Sequence, residues 1–364
     1  MDLDLPLEMK SLEELALVPS DVASITSKAI AGVIEEVPRH KTVFAQFFKI
    51  NRDLVGPGKP RSITFPKRGT GIVVHTNVSP NSTIGASSFA YSDVTITVQK
   101  MGVRLEFTTE AIEQAYVDVI KDQITEAGRV FAESLDILAR QEMLDLTRAT
   151  LTESDVSDDG LTLTTTLVPI IRIVSSTFNT GGISTIDYYS GKFKLTSSIS
   201  SCTVVFEYSE RCKSTGLYRE CASPKTLTAK DILLAKAQMR NATFEPDVVL
   251  LNFDDLANLL YDSSVKFLEA SAYGGREPLL NAELGKIFGM KVVVSQFVPS
   301  GVAILVDSQH LGYDVRKREL KFTREDRPDY DAVWYHGWTE RNFGVVNDEA
   351  VCVVVNAGSD AGDL

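Results

Sequence analysis

Four histidines, four cysteines and a few adjacent acid pairs are the residues of this 364-residue chain that could do chemistry. His40, His75, His310 and His336 each lie outside three-to-five-residue reach of another His or a Cys, so the spacing of a zinc box is missing. Cys202, Cys212, Cys221 and Cys352 form no CxxC pair, which removes a zinc knuckle and a thioredoxin-like redox site. A disulfide among Cys202, Cys212 and Cys221 stays open on spacing alone; free thiols are the expectation in a reducing compartment. The sequence carries no Gly-x-Ser-x-Gly elbow, no His-Glu-x-x-His pair and no Gly-x-x-x-x-Gly-Lys-Ser/Thr phosphate loop. Its nearest glycine cluster, Gly56-Pro57-Gly58-Lys59, reads as a turn. Of the acid pairs, Asp254-Asp255 sits near a helix start, where carboxylates complement the dipole, and Asp158-Asp159 sits in a linker. Arg324-Glu325-Asp326-Arg327, followed by Pro328, reads as a solvated loop of mixed charge, of a kind that also sets register between identical subunits. The expectation is a protein with no catalytic residues, no cofactor and no metal, and not an enzyme.

The totals agree with a structural role. A net charge of −12, from 37 basic and 49 acidic side chains, disfavours tight phosphate binding, which comes from clustered Lys and Arg. A chain that encloses nucleic acid without reading its sequence can be acidic. No apolar run approaches the roughly 18 residues of a membrane-spanning helix. Met1 to Lys10 carries three acids and lacks the basic start and apolar core of a signal peptide, so assembly in the cytoplasm of a producing cell is expected. With 44% hydrophobic and 24% charged residues, the chain can fill two or three domains.

The elements that would position any interaction surface are unusual in length. Met1 to Pro19 reads as an acidic arm, and Ser20-Asp21 caps a short helix that stops at Pro38. Ile50 to Phe65 and Val94 to Phe107 read as β, with alternation in Val94–Val98 and again in Val103–Phe107. Between them lies a long polar stretch, well beyond the usual connection of about 4–6 residues. Such a two-stranded ribbon is not stable alone in water and should lie on something, a neighbouring subunit being the simplest candidate. From about Thr109 to Leu146 the apolar residues Ile112, Ala115, Tyr116, Val119, Ile120, Ile124, Ala127, Phe131, Leu135 and Leu138 follow a helical stripe. Unbroken, that helix would span roughly 55 Å, with Gly128 as a place to bend. Residues from Glu153 to Pro224 are rich in Thr, Ser, Ile and Val and suggest a small β insertion of about 70 residues, including a strand–turn–strand over Ile186–Phe193. Thr228-Ala229-Lys230-Asp231 is a capping-box-like helix start, Val248–Leu251 a buried strand, and Asn252 to Tyr261 a further helix. After a loop with Tyr273-Gly274-Gly275-Arg276 come strands Lys291–Ser295 and Ala303–Val306, and Gly312 to Val355 reads as antiparallel β.

This order resembles the HK97-like major capsid proteins of tailed double-stranded DNA viruses. The resemblance is supported by Leu305-Val306-Asp307, Leu311-Gly312-Tyr313-Asp314-Val315-Arg316, Trp338-Thr339-Glu340-Arg341-Asn342-Phe343-Gly344-Val345-Val346 and Glu349-Ala350-Val351, which look like that family's ending. It covers roughly residues 20–150 and 225–357, mostly through element order. It implies an α+β chain: N-terminal arm and short helix 1–37, E-loop ribbon and start of the P-domain 38–108, spine helix 109–154, β insertion domain 155–225, A-domain 226–310, and a closing β segment 311–364. The insertion departs from the minimal family fold and is similar to domains that some members display on the shell surface. The implied function is self-assembly, through hexamers and pentamers, into an icosahedral shell around a double-stranded genome. The genome is enclosed without sequence-specific binding and without a membrane; scaffolding, portal and decoration proteins are the further partners. Subunit contacts are expected at Arg61, Lys67 and Arg68 of the ribbon, Tyr273 and Arg276 of the axial loop, and Arg324 and Arg327 of the charged P-domain loop. Some relatives crosslink an E-loop Lys; Lys59 and Lys67 lie near that loop, but no partner is assigned and no crosslink is predicted. The rivals are an encapsulin-like cargo compartment, which packaged DNA would exclude, an α+β enzyme, which a persistent monomer would revive, and a tail or baseplate protein, which would form rings or tubes.

Overall fold

The computed structural model describes residues 42–56, 58–68, 90–114, 119–156, 162–178, 183–195, 199–221, 227–261 and 286–355, with isolated residues at 76, 83 and 86–88. The arm and short helix expected over 1–37 therefore lie outside the described residues. The chain divides into two compact units. One holds Ile50–Leu135 and Asp314–Asn342; the other holds Asp136–Tyr313 with segments 42–49 and 343–355.

In chain order, β1 (Lys49–Asn51) is followed by a turn closed by Val55 N–H on the Arg52 carbonyl at 3.0 Å, so the extended run read from Ile50 to Phe65 is interrupted. Then come β2 (Ser62–Arg68), β3 (Tyr91–Thr97) and β4 (Gln99–Thr108). Helical structure covers α1 (Thr109–Gln114) and α2 (Val119–Leu144), the latter spanning about 39 Å at 1.5 Å per residue. The helix ends two residues before the expected Leu146, because Asp145 takes a left-handed φ of +48° and turns the chain directly into β5 (Leu146–Val156). Residues up to 154, given to the spine by the sequence reading, are thus strand. Next follow β6 (Thr162–Thr164), β7 (Ile170–Phe178), β8 (Ile183–Asp187), β9 (Lys192–Leu195), β10 (Ile199–Ser209), α3 (Glu210–Thr215) and β11 (Tyr218–Glu220). The last third holds α4 (Ala229–Asn241), β12 (Val248–Leu251), α5 (Phe253–Tyr261), β13 (Lys286–Ile287), β14 (Met290–Val294), β15 (Ala303–Val306), β16 (Gly312–Arg327), β17 (Ala332–Val345) and β18 (Val351–Val355).

Five sheets result. In the second unit a six-stranded sheet runs β11-β18-β15-β12-β14-β13, with β12 parallel to β14 and antiparallel to β15. All four residues of β12 and of β15 and all five of β18 are buried, which is why these strands read as continuous apolar runs. Met239 and Ile232 of α4 and Leu259 of α5 pack into the same core as Val249, Leu305 and Val354. The start of α4 is a full capping box: Asp231 N–H donates to the Thr228 hydroxyl at 3.4 Å, and Thr228 N–H donates to the Asp231 carboxylate at 3.1 Å. The all-β stretch forms two three-stranded sheets, β5-β10-β7 and β6-β9-β8, around Phe193, Phe206, Ile170 and Val204. In the first unit β2 and β3, among the described residues, pair with each other as a two-stranded sheet. The fourth sheet, β1-β16-β17-β4, is braced at the base of its long hairpin by fully buried Asp314, which accepts from Arg316 and Arg341 at 2.7 Å each.

Candidate functional site

The β2–β3 ribbon runs in strict register from Ser62 opposite Thr97 to Arg68 opposite Tyr91. Alternation gives it two faces. Ser62, Thr64 and Pro66 are exposed with Thr97, Thr95 and Asp93 across from them, and the Thr64 and Thr95 hydroxyls meet at 2.9 Å. Ile63, Phe65, Val94 and Ile96 form an apolar stripe on the opposite face. Exposed Arg61 stands at the root, where its carbonyl accepts from Val98 N–H at 2.8 Å. Lys67 is half-buried toward the far end of β2, and Arg68 closes that strand opposite Tyr91, whose side chain is exposed. The root is fastened within its own unit: the Lys317 ammonium donates to the carbonyls of Lys59 and Pro60 at 2.9 and 3.3 Å, and Arg52 pairs with Glu319 at 2.7 Å. A two-stranded ribbon is only marginally stable in water by itself, and half-buried Ile63, Phe65 and Val94 line one of its faces.

The second surface is the distal half of the β16–β17 hairpin. Arg324 and Arg327 belong to β16 itself, which corrects the expected loop: the strand runs to Arg327, and the turn is the 3-10 segment Pro328–Tyr330 followed by Asp331 at φ +47°. Charges read as loop here because a hairpin with solvent on its faces tolerates them as a loop does. Both arginines pair close to home, Arg324 with Asp326 and Arg327 with Glu325 at 2.8 Å each. Such exposed pairs contribute at most about 1 kcal/mol and remain free to exchange partners.

Sequence reasoning missed the aromatic row beside them. Trp334, His336 and Trp338 occupy alternate positions of β17 and share one face. The Arg327 and Arg104 guanidiniums lie over the Trp334 ring at 4.7 and 4.5 Å, and the Lys100 ammonium lies over Trp338 at 4.0 Å. His336 stacks on Trp338 with 9° between the planes and contacts the Glu325 carboxylate at 3.0 Å. Tyr330 at the turn stacks on Trp334 and is 68% exposed. The Trp-x-His-x-Trp alternation was a usable signal for the row; Arg104 and Lys100 reach it from β4 through a register that sequence does not show. Gly102, opposite Trp338, is where the ring lies: a Cβ there would stand 2.3 Å from it.

Tyr273 and Arg276 lie outside the described residues. The remaining residues expected at subunit contacts fall on one unit, Arg61, Lys67 and Arg68 on the ribbon and Arg324 and Arg327 on the hairpin. Among the described residues no group of three His, Cys, Asp or Glu side chains could hold a metal ion, and no helix is long and apolar enough to cross a membrane. His310 pairs with Asp307 at 2.8 Å, but the neighbouring Ser308 hydroxyl bonds Asp247 instead, so no nucleophile is poised there. The four cysteines are buried and none is in a disulfide, and burial pushes the Cys212 thiol up to about 11.

No family model and no curated protein matches the sequence. Solved structures do match over nearly the whole chain. The capsid structure of the cyanophage P-SCSP1u covers 95% of this chain and 98% of its own, at 14% identity and a TM-score of 0.57. The mature capsid of bacteriophage PhiM1 covers 90% and 91% at 9% identity and a TM-score of 0.56. The capsid of a native GTA particle covers 90% and 94% at 10% identity and a TM-score of 0.55. The chain is α+β and has the fold of these phage capsid chains.

Proposed function

We propose that this protein is an HK97-like major capsid protein, many copies of which close into an icosahedral shell around a double-stranded DNA genome. The observation that carries this reading is end-to-end likeness: one fold accounts for at least 90% of this chain and at least 91% of each of the three capsid chains named above. Physically, one subunit must meet itself in several related settings, and extended elements tie neighbours together where compact domains alone would not.

In this reading β2–β3 is the E-loop, lying with half-buried Ile63, Phe65 and Val94 on an adjacent copy, and α2 is the P-domain spine. The six-stranded sheet with α4 and α5 is the A-domain, and the sheets β5-β10-β7 and β6-β9-β8 are the insertion domain. Arg61, Lys67, Arg68, Tyr273, Arg276, Arg324 and Arg327 make subunit contacts, the last two by exchanging their local acid partners for those of a neighbour. The shell forms through hexamers and pentamers, with scaffolding, portal and decoration proteins as partners, in the host cytoplasm, and ends as the virion capsid. The protein's role is mechanical and not enzymatic.

Electron microscopy of the purified protein tests this. Closed polyhedral particles are expected, containing DNA when taken from a producing cell. A soluble monomer that persists at high concentration overturns the reading, and a packaged cargo protein in place of DNA redirects it to a compartment.

A further inference from the structure

The hairpin of β13 and β14 breaks local rules of stability in three ways. Ile287 pairs with Met290, so Phe288 and Gly289 form a two-residue turn, with φ of +48° and +82°. A turn with both central residues left-handed favours Asn-Gly, because a side chain as large as phenylalanine is strained there. Phe288 is also 43% exposed, so burial in its own fold does not account for the strain. One pair further along, Lys286 stands directly opposite Lys291, and both are exposed. Like charges facing each other across a ladder repel, and among the described residues neither lysine is in an ion pair.

The turn is nonetheless held firmly. The Lys236 ammonium of α4 donates to the Phe288 carbonyl at 2.9 Å and pairs with Glu245 at 3.1 Å. Ile287 and Met290, the residues on either side of the turn, are buried in the core of the six-stranded sheet. Leu233, 46% exposed, lies one turn before Lys236 on the same helix. A strained turn is thus fixed in place, presenting an aromatic ring to the outside with two like charges behind it. Backbone strain that the surrounding structure maintains is found where a segment has a task beyond its own folding.

We propose that this hairpin is a self-association contact. Phe288 inserts into an adjacent copy of the chain with Leu233 beside it, and Lys286 and Lys291 meet carboxylates of that copy. The proposal rests on the shell reading, which supplies the second copy, and adds a contact to those given there. Charge selects the partner. The chain carries a net −12, so two lysines without local acids face a predominantly acidic surface on another copy. Aromatic side chains are enriched at the centres of protein interfaces, where they fill pockets. Enclosed DNA suits the hairpin less, because two ammonium groups neutralise few phosphates and a phosphate backbone offers the ring no pocket.

Phe288→Asn separates this role from a structural one, because the two roles move stability in opposite directions. Asparagine tolerates the left-handed turn, so the variant should unfold at a higher urea concentration than wild type. It should nevertheless need roughly 10-fold more protein to associate, read by light scattering of the full-length chain against concentration. Lys286→Gln/Lys291→Gln should raise the same threshold at low salt, and by less at high salt. A lower urea midpoint for Phe288→Asn overturns the proposal, since the ring would then serve its own fold. An unchanged threshold in either variant overturns it too; DNA retention lost at an unchanged threshold would assign the hairpin to the genome instead. Wild-type protein that never associates overturns the shell reading and this proposal together. Shells that form from wild type and from both variants alike overturn this proposal alone.

Discussion

Replacing Gly312 by alanine should destabilise the protein by about 3 kcal/mol, although alanine is the better residue in most strands. Gly312 opens β16, and a Cβ added there would stand 2.1 Å from the Gly344 carbonyl oxygen, 2.8 Å from Val345 Cα and 3.0 Å from the Gly344 carbonyl carbon. An ordinary carbon–oxygen approach is about 3.3 Å or more, so the two strands must part by roughly 1 Å. All three neighbours are backbone, and no rotamer change relieves the overlap. Overpacking of this kind costs about 1–3 kcal/mol. Parting the strands also weakens the adjoining bonds from Val346 and Asn347 N–H to the Leu311 carbonyl, 2.9 and 3.4 Å long, at about 1 kcal/mol each. Against this, the stiffer unfolded chain returns only about 0.4–1 kcal/mol. Gly128 supplies the control. It lies within α2 with nothing within 4 Å of an added Cβ, so Gly128→Ala should stabilise by about 1 kcal/mol. Urea unfolding of both full-length variants, followed by far-ultraviolet circular dichroism, should lower the midpoint by about 1 M for Gly312→Ala and raise it for Gly128→Ala. A Gly312→Ala protein as stable as wild type would mean that the two strands do not approach this closely, and the argument would fail.

Asp136 accepts from Val43 and Ala45 N–H at 2.9 Å each; Asp136→Ala strands both donors, and relief of a carboxyl whose burial raises its pKa offsets part of the loss. A net destabilisation of about 1–3 kcal/mol is expected, with faster amide exchange at those two residues. Burial pushes the Glu207 carboxyl up, but its bonds to Arg172 and Arg148 outweigh that and hold it below its usual range. Because its folded value is depressed, Glu207 stabilises above the unfolded value of 4.5 and loses that contribution as pH falls below it. With both arginines about half exposed, thermal melts should place Glu207→Gln only about 1 kcal/mol below wild type at neutral pH, and closer in acid. Finally, no thiol should react with a charged disulfide reagent in the native protein, and all four should react in denaturant; a fast native reaction at any of them would contradict their burial.

Local chemistry made several elements readable before any coordinates. Val248–Leu251 and Ala303–Val306 are unbroken apolar runs that only a strand buried on both faces needs, and Thr228 with Asp231 spells out a helix start. What stayed hidden depends on distant partners. The helix was read too long because Leu146 continues an apolar stripe, while its end is set by one left-handed residue, Asp145. Arg324–Arg327 was taken for a loop because strand charges facing water look the same in one dimension. Two of the cations over Trp334 and Trp338, Arg104 and Lys100, come from β4, more than 200 residues earlier. Asp255 was assigned a dipole role that an exposed carboxylate would have; that it is sealed against the 295–302 connection is information carried by packing alone.

The sealed cysteines bear on how copies of this chain could be joined. Each of the four thiols is buried, and none is in a disulfide. A container made of such subunits has no covalent fastening that oxygen could form between copies, and none that a reductant could cut. Its joints would not change with the redox state around it, whether in a reducing cytoplasm or in open water.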